Sequence, residues 1–349
     1  MSLAADPGVA ATHAVRLSFR DGVERTIAVT EGEPVLAAAL RAGLPLVHQC
    51  ESGSCGTCVA RLVAGETATL PGRAVALLAG EVRDGLRLTC SVTAAEDCAF
   101  TLDYPSTLLD GPRPSIVRGR VALVEWVAPT VARLDITLDG EAAFAFEPGQ
   151  YVRVRVPGTD AWRSYSMAST AKELPLVRLL IRHQPGGAMS AWLREGCQPG
   201  AMVDVEGPLG SFGLVPGSAP QLMVAGGTGL APMLSMLDGL RTRPGPKPPV
   251  VLCFGCTAED DLFGLDELEL RRFWMPNLKT RVALMRQPAG AFEGRIGTAV
   301  SLIEDADLAR PGLVAYLCGP PPMVEAARER LAGAGVPAER IRTEQFRPT

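Results

Sequence analysis

Three cysteines in one short loop, followed by a fourth at a distance, constrain this chain more than any other feature. Cys50, Cys55 and Cys58 give the spacing Cys-x4-Cys-x2-Cys, and Cys90 follows after a longer interval. This is the ligand spacing of a [2Fe-2S] cluster, in which one tight loop supplies three thiolates and a distant residue supplies the fourth. A structural zinc site is the alternative, but zinc sites usually take paired Cys-x2-Cys turns, and this loop has a single such pair. The sequence therefore predicts an iron–sulfur site.

The residues around the loop favour the same interpretation. Gly53 and Gly56 give the backbone freedom that lets N–H groups turn towards sulfur. Cys98 is the rival for the fourth ligand, but we expect it to be a small apolar residue of the last strand. His48 lies beside the loop. Because a Rieske-type centre needs two histidines and the three histidines of the chain are scattered, we expect His48 to be structural.

Length and composition indicate a soluble globular protein with more than one domain. The chain has 349 residues, of which 47% are hydrophobic and 21% charged. A net charge of −4 gives no electrostatic reason to bind nucleic acid or an anionic membrane. We find no signal peptide and no long apolar run, so we expect a cytoplasmic protein without a membrane partner. In that compartment, nine cysteines favour thiolate ligands and free thiols over disulfides.

The first hundred residues have the order hairpin, helix, cysteine loop and returning strands. Alternating residues at 14–19 and 26–29 predict a β-hairpin, and the apolar face at 35–40 predicts a helix. Strands are expected at 59–63 and at 86–90, the second of which brings in Cys90. This order resembles the plant-type ferredoxin, a β-grasp fold.

The middle of the chain has the rhythm of an antiparallel β-barrel. Turn residues such as Pro148-Gly149 and Pro199-Gly200 separate short segments of strand type. We expect six strands, at residues 119–127, 131–138, 151–156, 164–167, 177–182 and 202–206. A Gly186-Gly187 turn then opens a helix, whose free N–H groups suit a pyrophosphate.

Two motifs in this barrel, Gly149-Gln150-Tyr151 and Arg163-x-Tyr165-Ser166, resemble the flavin domain of the ferredoxin–NADP reductase superfamily. The resemblance implies that Arg163 pairs with an FAD phosphate, that Tyr165 stacks on the flavin ring and that Ser166 lies near its reactive nitrogen. It also implies that the pyrophosphate is held by Ala188, Met189 and Ser190. FMN is the alternative, and the pyrophosphate loop favours FAD.

The last third of the chain changes to a βαβ pattern with a parallel sheet. The apolar run 221–225 leads into Gly226-Gly227-Thr228-Gly229, a helix and a second buried strand at 250–254. Pro232 replaces the third glycine of the usual dinucleotide fingerprint and suits a first helical position. This pattern, Gly-Gly-Thr-Gly-x-x-Pro, resembles the same reductase superfamily.

The acidic stretch after the second strand bears on which nicotinamide is used. Glu259, Asp260 and Asp261 favour a free ribose 2′-hydroxyl and we expect no arginine nearby, so we predict NADH rather than NADPH. The alternative is that these carboxylates begin the following helix. The nearby pair Cys253 and Cys256 has the Cys-x-x-Cys spacing of a redox dithiol, but Cys253 lies in an apolar strand, so we expect both to be structural.

Two further segments acquire roles from the resemblance to the reductase superfamily. Cys318-Gly319-Pro320 follows an apolar run and is expected beside the nicotinamide, where Cys318 would align it for hydride transfer, with Thr228 nearby. Phe346 resembles the terminal aromatic residue that covers the flavin face. The candidate catalytic residues are therefore Ser166, Cys318 and Phe346.

The sequence thus predicts three domains of different fold class. We expect a tail at 1–12, a β-grasp ferredoxin at 13–106, a linker at 107–117, a six-stranded antiparallel flavin barrel at 118–217 and an α/β parallel-sheet nicotinamide domain at 218–349. This order, with Gly158 to Ser166 as its most specific stretch, resembles the reductase components of bacterial aromatic-ring dioxygenases of the benzoate and anthranilate type.

The resemblance implies that NADH reduces FAD, and that the cluster passes single electrons to a terminal oxygenase, expected to be of Rieske type. One alternative is the reductase of a soluble diiron monooxygenase. The other is a non-catalytic flavin-binding electron carrier or redox sensor.

Overall fold

The chain divides into two compact units, each with its own core. The computed structural model describes residues 11–48, 51, 53, 56–73, 77, 79–110, 114–140 and 144–345. The units are Met1–Gly111 and Pro112–Thr349. Three residues expected at functional sites, Cys50, Cys55 and Phe346, lie outside the described ranges.

The first unit is a five-stranded sheet covered by a helix, with strand order β2-β1-β7-β3-β5. Its elements are β1 (Thr12–Phe19), β2 (Glu24–Thr30), α1 (Val35–Arg41), β3 (Val59–Ala64), β4 (Thr67–Thr69), α2 (Ala79–Arg83), β5 (Leu86–Leu88), β6 (Val92–Ala94) and β7 (Cys98–Leu102). β1 pairs antiparallel with β2 and parallel with β7. The apolar face of α1, including the buried Val35 and Leu36, packs on this sheet. The hairpin, helix and returning strands are therefore confirmed, while α2 and the small β4–β6 pair were not predicted. β1 begins at Thr12, the last residue of the expected tail.

The barrel of the second unit has the strand order β11-β10-β13-β8-β9-β12. Its strands are β8 (Ser115–Ala128), β9 (Val131–Leu138), β10 (Tyr151–Arg155), β11 (Trp162–Ser166), β12 (Leu176–Arg182) and β13 (Met202–Leu209). The strand pairs within this order are antiparallel. A bridge between Met167 and Leu179 joins the two edges of the sheet, so that alternate side chains fill a closed interior. Helix α3 (Ala188–Glu195) follows β12. The six predicted strands are confirmed, although β8 begins inside the expected linker.

The second sheet of this unit is parallel, with strand order β17-β16-β15-β14-β18-β19. Its strands are β14 (Gln221–Gly226), β15 (Val250–Cys256), β16 (Leu278–Leu284), β17 (Arg295–Ile296), β18 (Val314–Gly319) and β19 (Ile341–Gln345). Its helices are α4 (Leu230–Thr242), α5 (Leu265–Trp274), α6 (Asp305–Leu308) and α7 (Pro321–Gly333). β14, β15 and β18 are buried along their whole length, as expected for central parallel strands.

One expectation about this sheet was wrong. Pro232 is the third residue of α4 and not its first, because a 3-10 turn at Gly227–Gly229 runs directly into the helix. The position remains suitable for proline, since the first four N–H groups of a helix have no partner within it.

Direct hydrogen bonds hold the barrel and the parallel sheet together within the second unit. Ser235 of α4 donates from its hydroxyl to the Ser169 carbonyl at 2.6 Å. The Val215 amide donates to the Tyr316 hydroxyl at 3.0 Å. These bonds join the segments that follow β11 and β13 to α4 and β18. Among the helices of the described ranges, none has the length and apolar character needed to cross a membrane.

Candidate functional site

The two glycine-containing motifs of the parallel sheet meet at the carboxyl ends of β14 and β18. The strands pair with Ala225 opposite Cys318. A Cβ added to Gly229 would lie 2.1 Å from the Cys318 carbonyl oxygen, and one added to Gly226 would lie 2.7 Å from the Met323 sulfur. Both positions therefore need glycine for close packing, and this packing leaves the Gly226–Gly229 turn against Cys318-Gly319-Pro320.

Glu344 connects this edge of the sheet to the barrel. It lies in β19 opposite Cys318 of β18. Its Oε2 accepts a hydrogen bond from the Ser166 hydroxyl at 2.8 Å and lies 3.8 Å from the Cys318 sulfur, which donates to it. Ser166 and Cys318, two candidate catalytic residues from different sheets, are thus joined by one carboxyl group.

Sequence reasoning did not select Glu344 as a site residue. It stands two positions before Phe346, and the resemblance to the reductase superfamily pointed to that aromatic residue instead. The sequence offers little signal for it, because Glu344 is one of several polar residues in the strand Ile341–Gln345. Its position beside Cys318 depends on the pairing of β18 with β19, which a local pattern does not specify.

The surroundings of Glu344 favour its neutral form. Burial raises the pKa of Glu344 from 4.5 to about 7, although the hydrogen bonds from Ser166 and Cys318 lower it. Burial likewise raises the pKa of the Cys318 thiol well above its usual value, and the nearby Glu344 carboxyl raises it further. Cys318 is therefore a neutral thiol, and Glu344 is the group here that can hold or release a proton near neutral pH.

The flavin motif lies on β10 and β11, next to this cluster. Tyr151 pairs with Ser166, and Val154 pairs with Arg163. Ser166 is buried, whereas Tyr165 is half-buried and packs at the edge of the barrel core. Tyr165 and Arg163 are both odd-numbered positions of one strand, so their side chains project to the same face. The strand therefore presents an aromatic ring and a guanidinium on one side and the Ser166 hydroxyl on the other.

The predicted pyrophosphate loop is the turn before α3. The Gln184 amide donates to the Ser190 hydroxyl oxygen at 2.8 Å, which closes the turn and leaves the hydroxyl proton for another acceptor. Gly186 has a φ of 74°, a left-handed conformation that suits glycine. Met189 is buried in the barrel core, so its contribution to a ligand is its backbone N–H.

The acidic stretch after β15 contains a structural residue as well as exposed carboxylates. Asp261 is buried and accepts hydrogen bonds from the Thr130 hydroxyl at 2.7 Å, Arg182 at 3.2 Å and the Ala258 amide at 3.2 Å. Glu259 accepts a bond from the Ala289 amide at 3.1 Å. Asp261 therefore ties this turn to the barrel.

For this stretch, the alternative that the carboxylates begin the following helix was wrong, and so was the expectation that no arginine lies nearby. Glu259–Asp261 forms a separate 3-10 turn, whereas α5 begins at Leu265. Arginines do lie nearby, because the fold brings Arg182 to Asp261 and the Arg286 amide to the Thr257 carbonyl at 3.0 Å. Arg182 also lies beside Gly227, with its Nη1 3.6 Å from the place of a Cβ there. Sequence reasoning saw Arg182 only as the end of a strand.

In the first unit, Thr89 links the segments that carry Cys58 and Cys90. The Thr89 amide donates to the Cys58 carbonyl at 3.0 Å, and its hydroxyl donates to the same oxygen at 3.1 Å. Both cysteine side chains are buried. Two of the four expected ligands, 32 positions apart in sequence, therefore lie on neighbouring segments of the backbone.

The loop itself has the backbone that its glycines predict. Gly53 and Gly56 have φ values of 83° and 79°, and Glu51 also has a positive φ, of 53°. The Arg73 guanidinium donates to the Glu51 carbonyl. Cys98 is a buried residue of β7 in the apolar core, as expected. The His48 Nδ1 lies 2.6 Å from the Leu46 carbonyl, a local structural contact.

The Cys253 and Cys256 pair lies within buried β15 and not at a helix start. Burial raises the pKa of each thiol to about 12. Neither is a thiolate at neutral pH, so the pair lacks the reactive nucleophile of a redox dithiol.

The residues present fit the cofactors that the sequence predicts. Two buried cysteines lie on neighbouring backbone segments of the first unit. A guanidinium, an aromatic ring and a helix start lie on the flavin side. On the nicotinamide side, glycines hold two motif turns together at the carboxyl edge of a parallel sheet, where such sheets bind nucleotides.

Comparisons with known proteins agree with this arrangement. Three family models match the chain: a 2Fe-2S iron-sulfur cluster binding domain at 18–95, an oxidoreductase FAD-binding domain at 119–213 and an oxidoreductase NAD-binding domain at 223–329. The toluate 1,2-dioxygenase electron transfer component of Pseudomonas putida is 35% identical over 337 residues, which cover 96% of this chain and 98% of the relative.

Two other relatives extend the comparison. The reductase component of propane 2-monooxygenase from Rhodococcus jostii is 34% identical over 342 residues, which cover 95% of this chain and 91% of the relative. The crystal structure of the Amycolatopsis cytochrome P450 reductase GcoB is 29% identical and has a TM-score of 0.71, over 96% of this chain and 99% of that one.

Proposed function

We propose that this chain is an NADH-dependent reductase. It belongs to the family of oxygenase electron transfer components, which join a [2Fe-2S] domain to FAD- and NAD-binding domains. Its acceptor is the terminal oxygenase of an aromatic-ring dioxygenase system of the benzoate or anthranilate type. The observation that carries the proposal is the meeting of Ser166, Cys318 and Glu344 at the junction of the two sheets. When bound, FAD takes up a hydride from NADH and gives up electrons singly, as the cluster requires.

The barrel residues hold and orient the flavin. Arg163 pairs with a phosphate through two parallel N–H donors, and Tyr165 stacks against the ring. The N–H groups at Ala188 and Met189 and the hydroxyl proton of Ser190 receive the pyrophosphate, in keeping with the open start of α3. Phe346, which lies outside the described residues, would be the aromatic residue that covers the flavin face. This set favours FAD over FMN.

Glu344 and Ser166 control a proton beside the reacting atoms. Because burial raises the pKa of Glu344 to about 7, its carboxyl group can hold or release a proton near neutral pH. Ser166 donates to its Oε2 and so orients the carboxyl group. When Glu344 is ionised, its negative charge favours a positively charged nicotinamide next to Cys318 over a neutral one.

The nicotinamide nucleotide lies across the carboxyl edge of β14, β15 and β18. The turn Gly226–Gly229 and the segment Cys318 to Pro320 receive its pyrophosphate and nicotinamide, with Thr228 beside the ring. The exposed Asp260 and the adjacent Glu259 favour the ribose hydroxyl of NADH. Arg182, held by Asp261 above Gly227, adds a positive charge on the barrel side.

The cluster is held by Cys50, Cys55, Cys58 and Cys90. The contact of Thr89 with Cys58 supports the pairing of the last two. We also infer domain limits of 13–106, 118–217 and 218–349, although β1 begins at Thr12 and β8 at Ser115. The three matched models, at 18–95, 119–213 and 223–329, fall within these limits, and the chain divides into its two units between the first two of them.

The partner oxygenase is expected to be of Rieske type, because the toluate relative serves a 1,2-dioxygenase. A second candidate is the reductase of a monooxygenase, which the propane 2-monooxygenase relative favours at nearly the same identity. The two candidates share every step within this chain and differ in the protein that accepts the electrons.

Reconstitution with purified oxygenases distinguishes the candidates. The chain should support NADH-dependent dihydroxylation by a benzoate-type dioxygenase at a rate well above that with a diiron monooxygenase. A higher rate with the diiron monooxygenase would mean that the chain is the reductase of a monooxygenase system. Absence of NADH-dependent reduction of both oxygenases and of cytochrome c would leave only a flavin-binding carrier or sensor.

A matched pair of variants tests the electron path inside the chain. Cys90→Ser should lose iron and oxygenase-coupled turnover while NADH still reduces the flavin and ferricyanide. Cys98→Ser, a buried cysteine of the same unit, should keep both activities. Equal loss in the two variants would mean that Cys90 acts through folding and not as a ligand.

A further inference from the structure

A serine follows the fourth expected cluster ligand, and its hydroxyl lies on the sulfur of that ligand. The Ser91 Oγ is 3.4 Å from the Cys90 Sγ, and either atom can donate in this hydrogen bond. Cys90 is 2% exposed and Ser91 is 1% exposed, so the contact is shielded from water. A hydrogen bond between buried groups is electrostatically stronger than one at the surface.

The two hydroxyl groups that flank Cys90 in sequence have different partners. The Thr89 hydroxyl donates to the Cys58 carbonyl at 3.1 Å and so binds the backbone. The Ser91 hydroxyl, on the other side, lies on the sulfur itself. Of these two residues, Ser91 is therefore the one whose side chain can act on the charge of a thiolate at position 90.

The backbone at Ser91 is fixed independently of its hydroxyl. The Ser91 amide donates to the Leu88 carbonyl at 2.8 Å, and the Ser91 carbonyl accepts from the Leu70 amide at 2.9 Å. The next residue, Val92, is buried in the core of the first unit. Removal of the hydroxyl therefore leaves these backbone contacts in place and changes mainly the contact with sulfur.

Binding of the cluster decides which atom donates. This inference rests on the proposed [2Fe-2S] site, in which Cys90 is a thiolate ligand and has no proton to give. A thiolate can only accept a hydrogen bond, whereas a serine hydroxyl can donate one, so the proton of the contact is that of Ser91. The reduced cluster carries one more negative charge than the oxidised cluster. A donor on its ligand sulfur therefore stabilises the reduced form more than the oxidised form.

We propose that the Ser91 hydroxyl donates to the Cys90 thiolate and so raises the reduction potential of the cluster. Ser91 acts through Cys90 and is thus a positioning residue for the electron-transfer site. One electron enters the cluster, no covalent bond changes, and the serine keeps its proton. A higher potential makes the cluster a better acceptor of electrons from the flavin.

An oxygen-free redox titration of the purified holoprotein tests the proposal, with the reduced cluster measured by electron paramagnetic resonance. Ser91→Ala should lower the ratio of reduced to oxidised cluster at a fixed poise by about three- to tenfold, which is a shift of about 30 to 60 mV to lower potential for one electron. Thr93→Val is the control. It removes another buried hydroxyl of the first unit, which donates to the Thr30 carbonyl at 3.5 Å, and should keep the native potential. NADH should reduce the flavin of both variants at the native rate.

A second pair of variants separates the hydroxyl from packing. Ser91→Thr and Ser91→Val place side chains of nearly the same shape at this buried position, but only threonine keeps a hydroxyl. The threonine variant should therefore have the higher potential of the two. This comparison holds even where Ser91→Ala loses part of its iron.

Three results would overturn the proposal. The first is a Ser91→Ala variant that keeps its iron and the native potential, and the second is equal potentials in the threonine and valine variants. The third is a shift in Thr93→Val as large as that in Ser91→Ala, because the effect would then come from packing of the unit. A native chain without iron would refute the cluster itself and this inference with it, so the two failures are distinguishable.

Discussion

Replacing Glu344 with glutamine should remove a specific pH dependence from the stability of the second unit. Burial raises the pKa of Glu344 in the folded chain to about 7, whereas the unfolded chain has the ordinary value of 4.5. Below pH 4.5 the carboxyl group is protonated in both states and makes no difference to the free energy of unfolding. As the pH rises to about 7, the unfolded state ionises while the folded state does not, so stability is lost.

The size of the effect follows from the two pKa values. A difference of about 2.5 units corresponds to about 3 kcal/mol of unfolding free energy, most of it lost between about pH 5 and pH 7. Above the folded pKa both states are ionised and the loss is complete. Glu344→Gln has no proton to lose, so its stability should lack this component. The difference between the native chain and the variant should therefore change by about 2 to 3 kcal/mol across the window.

Tryptophan fluorescence during denaturant unfolding provides the assay. All four tryptophans, at positions 126, 162, 192 and 274, lie in the second unit, so the signal does not report the iron–sulfur unit. Taking the difference between the two proteins at each pH cancels the other ionisable groups. Ser166→Ala is a second test. Since the Ser166 hydrogen bond lowers the pKa of Glu344, its removal should move the window to higher pH. A difference between native chain and Glu344→Gln that stays constant with pH would refute the raised pKa of this carboxyl group.

Two further perturbations test the packing around the nucleotide site. Gly229→Ala should destabilise the second unit by about 1 to 3 kcal/mol or more in denaturant unfolding, because its Cβ would overlap the Cys318 carbonyl, whereas Gly333→Ala at the end of α7 meets no atom within 4 Å and should be neutral or slightly stabilising. Equal effects would contradict the close approach of the two motif turns. Asp261→Ala should cost about 1 kcal/mol by leaving three partly exposed donors without this acceptor and should weaken NADH binding by releasing Arg182, as measured by fluorescence titration. Unchanged NADH affinity in that variant would mean that Arg182 does not contribute to NADH binding.

Local patterns were sufficient for the parts of this molecule that depend on neighbours in sequence. The alternation in the barrel strands and the glycine turn before α4 each specify a local backbone conformation, and the elements appear where these patterns indicate.

The remaining features depend on which strands become neighbours in the sheets. Glu344 reaches Cys318 only because β19 pairs with β18, and it reaches Ser166, 178 positions earlier, only because the barrel lies against that edge. Arg182 meets Asp261 across 79 positions for the same reason. From the sequence, Glu259, Asp260 and Asp261 were all expected to repel a 2′-phosphate. In the fold, Asp261 is a buried acceptor that holds the turn to the barrel, and only Glu259 and Asp260 are exposed carboxylates.

The central claim is that one chain conducts electrons from NADH through a flavin to a [2Fe-2S] cluster. The most direct measurement is an oxygen-free titration of the purified protein with NADH and, separately, with NADPH, followed by visible absorption and by analysis of iron and flavin. We expect one flavin for every two irons, with bleaching of both flavin and cluster bands by NADH well before NADPH has a comparable effect. Flavin that is reduced by NADH while the cluster stays oxidised, or a chain without iron, would contradict the account.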